Sequence, residues 1–363
     1  MSYGQPLQPQ DSIPQFTAFD LPVDLPLALT DGLFDATAAS PEQLVRLGLP
    51  PRPDARRQPL LRQAWNRAFS RPVKVEPFAP APDPIKFRTS VRRLNVLRVS
   101  QTRFEGSRNW SGAYITANRG RHLLQVWGLW QIPDGLTVPP PPLDGDPGKP
   151  YKVGTWIGLD GQRRYFDASL PQIGTVSVLN ADGTRDAQAW VQWWAKDELK
   201  LKLKTLSLKV QPGQTVLCVL TALGPQEVAA LIVNLSTIPI TAQSVRITPP
   251  MARLPSGSGA AQPKIAGATA EWIVERPSDL DLPRFENFPD YGQTQFEFCG
   301  AVEGRHADLP SLLQGLPIGL QGARDIRMFQ TLRDPARTRY ISMPHKIDDS
   351  TLRVRYGGFQ SGP

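Results

Sequence analysis

The chain has 363 residues, 40% of them apolar, nine tryptophans, and a formal net charge of +8. That length and apolar content fit a globular core with an appendage, or two domains, and exclude a disordered chain. Two cysteines and three scattered histidines exclude a disulfide-dense scaffold and leave too few ligands for a cysteine-rich or histidine-based metal centre.

Thirty-eight prolines favour β-structure and extended linkers over helix bundles. No apolar run is long enough to span a bilayer as a helix. The opening "MSYGQPLQPQDSIPQF" has neither a basic stretch nor an apolar one behind it, so no secretory signal is visible. Cys218 and Cys299 either pair or stay as buried thiols. His122, His306 and His345 lack the spacing of a metal-binding helix. If the chain is an enzyme, its carboxylates and amides carry the chemistry.

The basic excess is concentrated in one segment. Residues 1–40 hold five Asp and no Lys or Arg, whereas residues 41–106 hold fourteen Lys and Arg against five acids. Residues 107–363 hold 27 basic and 23 acidic residues. Residues 1–106 contain 15 prolines and read as an extended leader, set apart from a domain at 107–363. Within the leader, "QPLLRQAWNRAFSRP" (58–72) spaces Leu60, Leu61, Ala64, Trp65, Ala68 and Phe69 as one helical face, with Pro59 at the start and Pro72 after the end. Such a basic amphipathic helix either packs on its own domain or docks on an acidic groove, a membrane surface or nucleic acid. Its aromatics are not interleaved as stacking platforms, and no nucleic-acid partner is expected.

From residue 107 the chain reads as short alternating strands with Gly, Pro, Asn and Asp at the breaks. "LKLKLKTLSLKV" (199–210) predicts a strand with one wet face and a change of register near Thr205. "QPGQ" (211–214) is a turn, and "TVLCVLTAL" (215–223) is the return strand. "AALIVNLST", "QSVRIT", "TAEWIVE", "QFEFCGAV" and "STLRVRYGGF" continue the pattern, and "TVPPPPLDGDPGKP" (137–150) is a long loop on one rim. Many antiparallel strands with few helix signals make the domain all-β, a sandwich or a barrel.

Five motifs follow in a fixed order: "NWSGA" (109–113), "GTWIGLDG" (154–161), "LPQIG" (170–174), "AWVQWW" (189–194) and "AEWIVE" (270–275). Together with "VQPGQ" (210–214) and "VRYGGF" (354–359), this series resembles the eqolisins, the glutamic peptidases first known from fungi. The resemblance implies a concanavalin A-like β-sandwich of two bent antiparallel sheets, and peptide or protein substrates. It also implies no cofactor, no metal, a monomer, and a secreted or extracytoplasmic setting. By motif, the catalytic pair is Gln172 of "LPQIG" and Glu275, the last residue of "AEWIVE". A carboxylate can take a proton from water as it attacks a peptide carbonyl and return it to the leaving amine. A side-chain amide can donate to the oxyanion, and losing such a donor typically costs ~10²–10³ in rate.

Of the matching tryptophans, Trp156 and Trp190 are expected to line the cleft, while Trp110 and Trp193 pack. Asp160 of "GLDG" matches a carboxylate near the substrate. Gln192 stands where the family often has Glu, so it is expected beside the substrate as a neutral group. Fungal members carry disulfides and a secretion signal, neither of which is clear in this chain, so it resembles more the disulfide-free bacterial branch. The pair "RR" in "QRRYF" (162–166) makes the rim basic. Fungal members are also made with basic propeptides that block an acidic cleft. The segment 41–106 is the candidate here, released by acid and cut near residues 100–108.

Two alternatives stand beside this reading. A laminarinase-like glycoside hydrolase on the same sandwich would use both glutamates of "EWIVE", but Ile273 replaces its middle Asp. The Cα atoms of Glu271 and Glu275 lie ~13 Å apart on a strand, whereas retaining chemistry needs carboxyls about 5–5.5 Å apart. The other alternative is a binding module without turnover. Alternation sends Glu271, Ile273 and Glu275 to one face of the strand, and Glu271 is expected to be a supporting or structural acid.

Overall fold

The computed structural model describes residues 33–76, 78–89, 104–139, 146, 148–162, 169–196, 198, 203–253, 259–278, 285–305, 309–315, 317–330 and 339–357. The first half forms β1 (Leu33–Phe34), α1 (Pro41–Arg46), α2 (Pro59–Ala68), β2 (Val73–Glu76), β3 (Phe104–Ser107), β4 (Trp110–Thr116), β5 (His122–Gln131), β6 (Tyr151–Leu159), β7 (Ser169–Leu179), β8 (Arg185–Ala195) and β9 (Lys204–Thr205). The second half forms β10 (Thr215–Gly224), β11 (Glu227–Asn234), β12 (Ile240–Ile247), β13 (Ala252–Arg253), β14 (Ala260–Ala261), β15 (Thr269–Glu275), β16 (Gln293–Gly304), α3 (Leu309–Gln314), β17 (Pro317–Ile318), β18 (Arg324–Gln330), β19 (Arg339–Lys346) and β20 (Leu352–Tyr356).

Two layers result. One runs β9-β8-β7-β6-β15-β4-β18, all antiparallel, and the other runs β2-β12-β11-β10-β5-β16-β20. β19 pairs with both β18 and β20 and joins the layers into one folded-over sheet. β2 on β12 and β3 on β18 are parallel additions at the edges. Between the layers lies the main core, which includes Trp130, Ile157, Ile173, Val191, Cys218, Ile232, Trp272 and Phe296. Two indoles tie one layer to the other: Trp130 Nε1 donates to Thr175 Oγ1 at 3.1 Å, and Trp272 Nε1 to the Trp127 carbonyl at 2.9 Å. Cys218 and Cys299 are both buried free thiols, so of the two sequence readings the unpaired one holds.

Residues 33–76 hold more regular structure than their prolines imply. Ser40 and Gln43 close a capping box around the start of α1, with Pro41 in the first turn. The motif "SPEQ" carried that signal, but the sequence reading did not use it. α2 forms as expected and buries Leu61, Ala64, Trp65 and Ala68, although Leu60, placed on the same face, is 57% exposed. Its apolar side packs on the outer face of the second layer, against residues that include Leu124, Leu217, Val219, Leu231, Val233 and Phe298. The helix is therefore a covering element of its own molecule. Among the described residues no helix is long and apolar enough to cross a membrane.

The strand expected over 199–210 is not formed across its described part. Only Lys204–Thr205 pairs with β8, after which Leu206, Leu208 and Val210 turn into the core. The reason is a competing partner. The leader reaches this edge, where Ala81 N donates to the Thr205 carbonyl at 3.1 Å and Ser207 N to the Ala79 carbonyl at 2.9 Å.

Candidate active site

The free face of the first layer carries residues of the five motifs in three cross-strand rows. Alternation along each strand sends every second residue to this face. The middle row runs Gly112, Ile273, Trp156, Gly174, Trp190 across β4, β15, β6, β7 and β8. On one side lies the row Trp110, Glu275, Gly154, Val176, Gln188, and on the other Tyr114, Glu271, Gly158, Gln172, Gln192. Gly174 is required by close approach: a β-carbon there would overlap the Thr155 carbonyl and Trp156 Cβ. A side chain at 174 would push the Trp156 strand away and spoil the row.

Glu275 is fully buried, which is tolerable only with partners for its carboxylate. Trp156 Nε1 donates to Oε2 at 2.9 Å, and Asn109 Nδ2 donates to Oε1 at 3.1 Å. Trp110 stands edge-on to Trp156, with ring centroids 5.0 Å apart, and braces that indole. Trp156 thus stands on the same face as Glu275. Trp110 also lies on this face, whereas Trp193 points into the core between the layers. Asn109 was inside the quoted "NWSGA" motif, yet its bond to Glu275 depends on β4 lying beside β15, a long-range fact.

Gln172 and Gln192 are directly opposed across β7 and β8, and both are fully buried. Their side chains meet the leader. Gln172 Nε2 donates to Thr89 Oγ1 at 2.8 Å, and the Thr89 hydroxyl donates to Gln192 Oε1 at 2.5 Å. Gln172 Oε1 and Gln192 Nε2 have no partner among the described residues. Gln172 and Glu275 do not bond one another: the pairing offsets them by two strands and four residues, about 10 Å across and ~13 Å along a flat sheet. They stand on the same face of the layer, in the rows on either side of the Trp156 row.

Residues 78–89 lie across that face as an extended strap. Ile85 N donates to Gln188 Oε1 at 2.7 Å, and Lys152 Nζ donates to the Lys86 carbonyl at 2.7 Å. Arg88 and Ser278 exchange both backbone hydrogen bonds, at 3.1 and 2.7 Å. Phe87 is 1% exposed and stands edge-on to Trp190 at 5.4 Å, so Trp190 lies against the strap. Arg88 also approaches Glu198, at 4.0 Å. Burial pushes the Glu198 carboxyl up to about 7, against the opposing pull of the Ala195 amide and the Arg88 charge. The strap was legible only as alternation in "PIKFRTS", where Ile85, Phe87 and Thr89 fall on one face.

The remaining candidates sit elsewhere. Asp160, expected beside substrate, is fully buried, and its oxygens accept from the amides of Ala266 (2.5 Å), Gly267 (3.3 Å) and Ala268 (2.6 Å). In this position it fastens the 266–268 loop, and its φ of 66° places it in the left-handed region at the end of β6. Glu271 is buried beneath the same turn and accepts from the Gln162 amide at 3.1 Å, while its Oε2 has no partner among the described residues. Burial, with the Asp160 charge adding to it, holds the Glu271 carboxyl up at about 8 despite hydrogen bonds from Thr269, Gln162 and Gly161. Glu271 and Glu275 therefore occupy separate surroundings on one strand, with Ile273 packed between them in the apolar cluster. The two arginines of "QRRYF", and the expected cut near 100–108 as far as residue 103, lie outside the described residues. Among the described residues no group of three or more His, Cys, Asp or Glu could hold a metal ion.

The model of the peptidase A4 family matches residues 108–331. Among solved structures, SCP-B, a member of the eqolisin family in complex with the tripeptide Ala-Ile-His, is 16% identical at a TM-score of 0.45. That likeness covers 69% of this chain and 98% of its own. Scytalido-glutamic peptidase with a transition-state analogue inhibitor is 17% identical at a TM-score of 0.45, over 69% of this chain and 98% of its own. Aspergilloglutamic peptidase from Aspergillus niger is 21% identical at a TM-score of 0.41, over 57% of this chain and 99% of its own. No curated protein matches the chain. The family match spans more than half of the sequence and contains all five motifs; the chain belongs to the peptidase A4 family, the eqolisins, and is a hydrolase of the glutamic peptidase type.

Proposed function

We propose that the chain is an acid-acting endopeptidase in which Glu275 and Gln172 form the catalytic dyad. The carrying observation is that a Gln172 amide N–H already donates to an oxygen of a peptide strap laid across the face that carries Glu275. In the reaction, the Glu275 carboxylate takes a proton from a water as its oxygen attacks the peptide carbonyl. Gln172 donates to the oxygen as it becomes negative, and Glu275 returns the proton to the amine as the C–N bond breaks. Trp156 and Asn109 hold the carboxylate in one orientation before the reaction, which lowers the cost of reaching the transition state. Trp190 and Gln192 line the groove on the far side.

The strap at 78–89 is the inhibitory part of the leader in this reading, and Arg88 is one of its charged anchors. Burial holds Glu198 up at about 7, so in acid it is neutral and the Arg88 charge adds little to the strap's hold. The experiment is digestion of a denatured protein by the acid-incubated full chain at pH 2–6 with pepstatin present. Wild type should cleave, Glu275→Gln should be inactive, and Gln172→Ala should lose roughly 10²–10³ in kcat. Full activity in Gln172→Ala would overturn the dyad. Binding of peptide without turnover in wild type would make the chain a binding module, and turnover of β-glucan would make it a glycosidase.

A further inference from the structure

We infer that this peptidase selects substrates by an aromatic or large apolar side chain, seated against Trp190, two residues before the one that meets Gln172. The inference rests on the dyad reading above and names the substrate class for that site.

The strap shows how a peptide lies in the groove. Its main chain is held by groups indifferent to sequence: the Gln188 side chain on Ile85 N, the Lys152 ammonium on the Lys86 carbonyl, and the Ser278 backbone on Arg88. Its side chains alternate, with Ile85 half-buried, Phe87 and Thr89 buried, and Pro84 and Lys86 exposed. Of the inward side chains, Thr89 lies between the two glutamines and Ile85 sits at the rim of the apolar cluster. Phe87 alone is wholly enclosed by that cluster, which gathers Trp156, Val176, Val178, Trp190 and Trp194 on this face. Edge-to-face geometry on Trp190 adds an orientation preference to simple burial.

Sequence-independent backbone bonds provide affinity for any extended peptide, and one deep apolar seat provides discrimination. A cut peptide should carry its aromatic residue on the N-terminal side of the scissile bond, because Phe87 precedes Thr89. Replacing a fully buried phenylalanine by alanine in a substrate should lower kcat/KM by roughly 10- to 100-fold.

The test uses the acid-incubated full chain and a set of synthetic peptides differing only in which position carries Phe or Ala, with the new ends mapped by mass spectrometry. The expected result is one position, N-terminal to the cut, where Phe, Tyr, Trp, Leu or Met is strongly preferred. Trp190→Ala, with its fold checked by circular dichroism, should flatten that preference, bringing kcat/KM for the Phe peptides down toward that for the Ala peptides. Cleavage by wild type without any such position overturns the inference and leaves the dyad standing. No cleavage of any peptide overturns the dyad reading and this inference together.

Discussion

At the scale of single residues, the site turns on how one buried carboxylate is kept ready. Glu275 and Glu271 are four apart on one strand and face the same way, yet their partners differ in kind. Glu275 accepts from two side-chain donors, the Trp156 indole and the Asn109 amide. Glu271 is met by the Thr269 hydroxyl and the Gln162 and Gly161 amides, while its Oε2 has no partner among the described residues, in surroundings that favour the neutral acid. Trp156→Phe keeps the ring and removes the N–H. Deleting one hydrogen bond to a charged group costs about 1.5–3 kcal/mol, so kcat should fall by roughly 10- to 100-fold with KM little changed. Steady-state kinetics on a single peptide checks it, and an unchanged kcat would remove Trp156 from the positioning of Glu275.

At the scale of elements, the described residues between 33 and 89 divide into two parts with different physical holds. Residues 33–76 cover an apolar face of the second layer with α1, α2 and β2, burying Trp65, Phe69 and Val73. Residues 78–89 cross the groove and are held by hydrogen bonds, Phe87 and one ion pair. Any cut beyond residue 89 leaves the first part seated, because its release would expose Leu217, Val219, Leu231 and Val233 to water. The N-terminal fragment should therefore co-elute with the peptidase domain after acid incubation and separate only in denaturant; size exclusion with intact-mass analysis reads this directly. Trp65→Ala should destabilise the intact chain by about 3–5 kcal/mol, seen as a lower urea midpoint. Thr89→Val removes the hydroxyl that bridges Gln172 and Gln192 while keeping the shape, and should shorten the acid incubation needed before peptide cleavage begins.

At the scale of the whole molecule, the buried acids set a pH dependence of stability. Glu271 at about 8 and Glu198 at about 7 both lie above an ordinary glutamate, so the folded chain binds more protons than the unfolded chain between about pH 4.5 and 8. The contribution of these two acids is therefore fully present below the ordinary glutamate value and is lost as pH rises through about 7 and then 8. Glu271→Gln keeps a neutral group of the same shape. The variant should match wild type in urea unfolding near pH 4.5 and exceed it near pH 8 by on the order of a few kcal/mol. Parallel pH profiles of the two proteins would refute this assignment.

The sequence by itself determined the all-β class, the family, and which residues share a face, because alternation along a strand is a local property. "AEWIVE" could be divided into a core side and a groove side without coordinates, and α2 could be bounded by its prolines and apolar spacing. Even so, Leu60 left the helix's buried face and Lys204–Thr205 was all that remained of a strand expected across the described part of 199–210, since the neighbours that decide such edges come from distant segments. Only the tertiary structure decided the rest. It brought Asn109 and Trp156 to Glu275, and set Asp160 on the 266–268 loop. It also laid residues 78–89 across the groove with Thr89 between two glutamines. Each of these contacts joins residues about 70 to 170 positions apart, and local patterning carries no information on which strands will be neighbours.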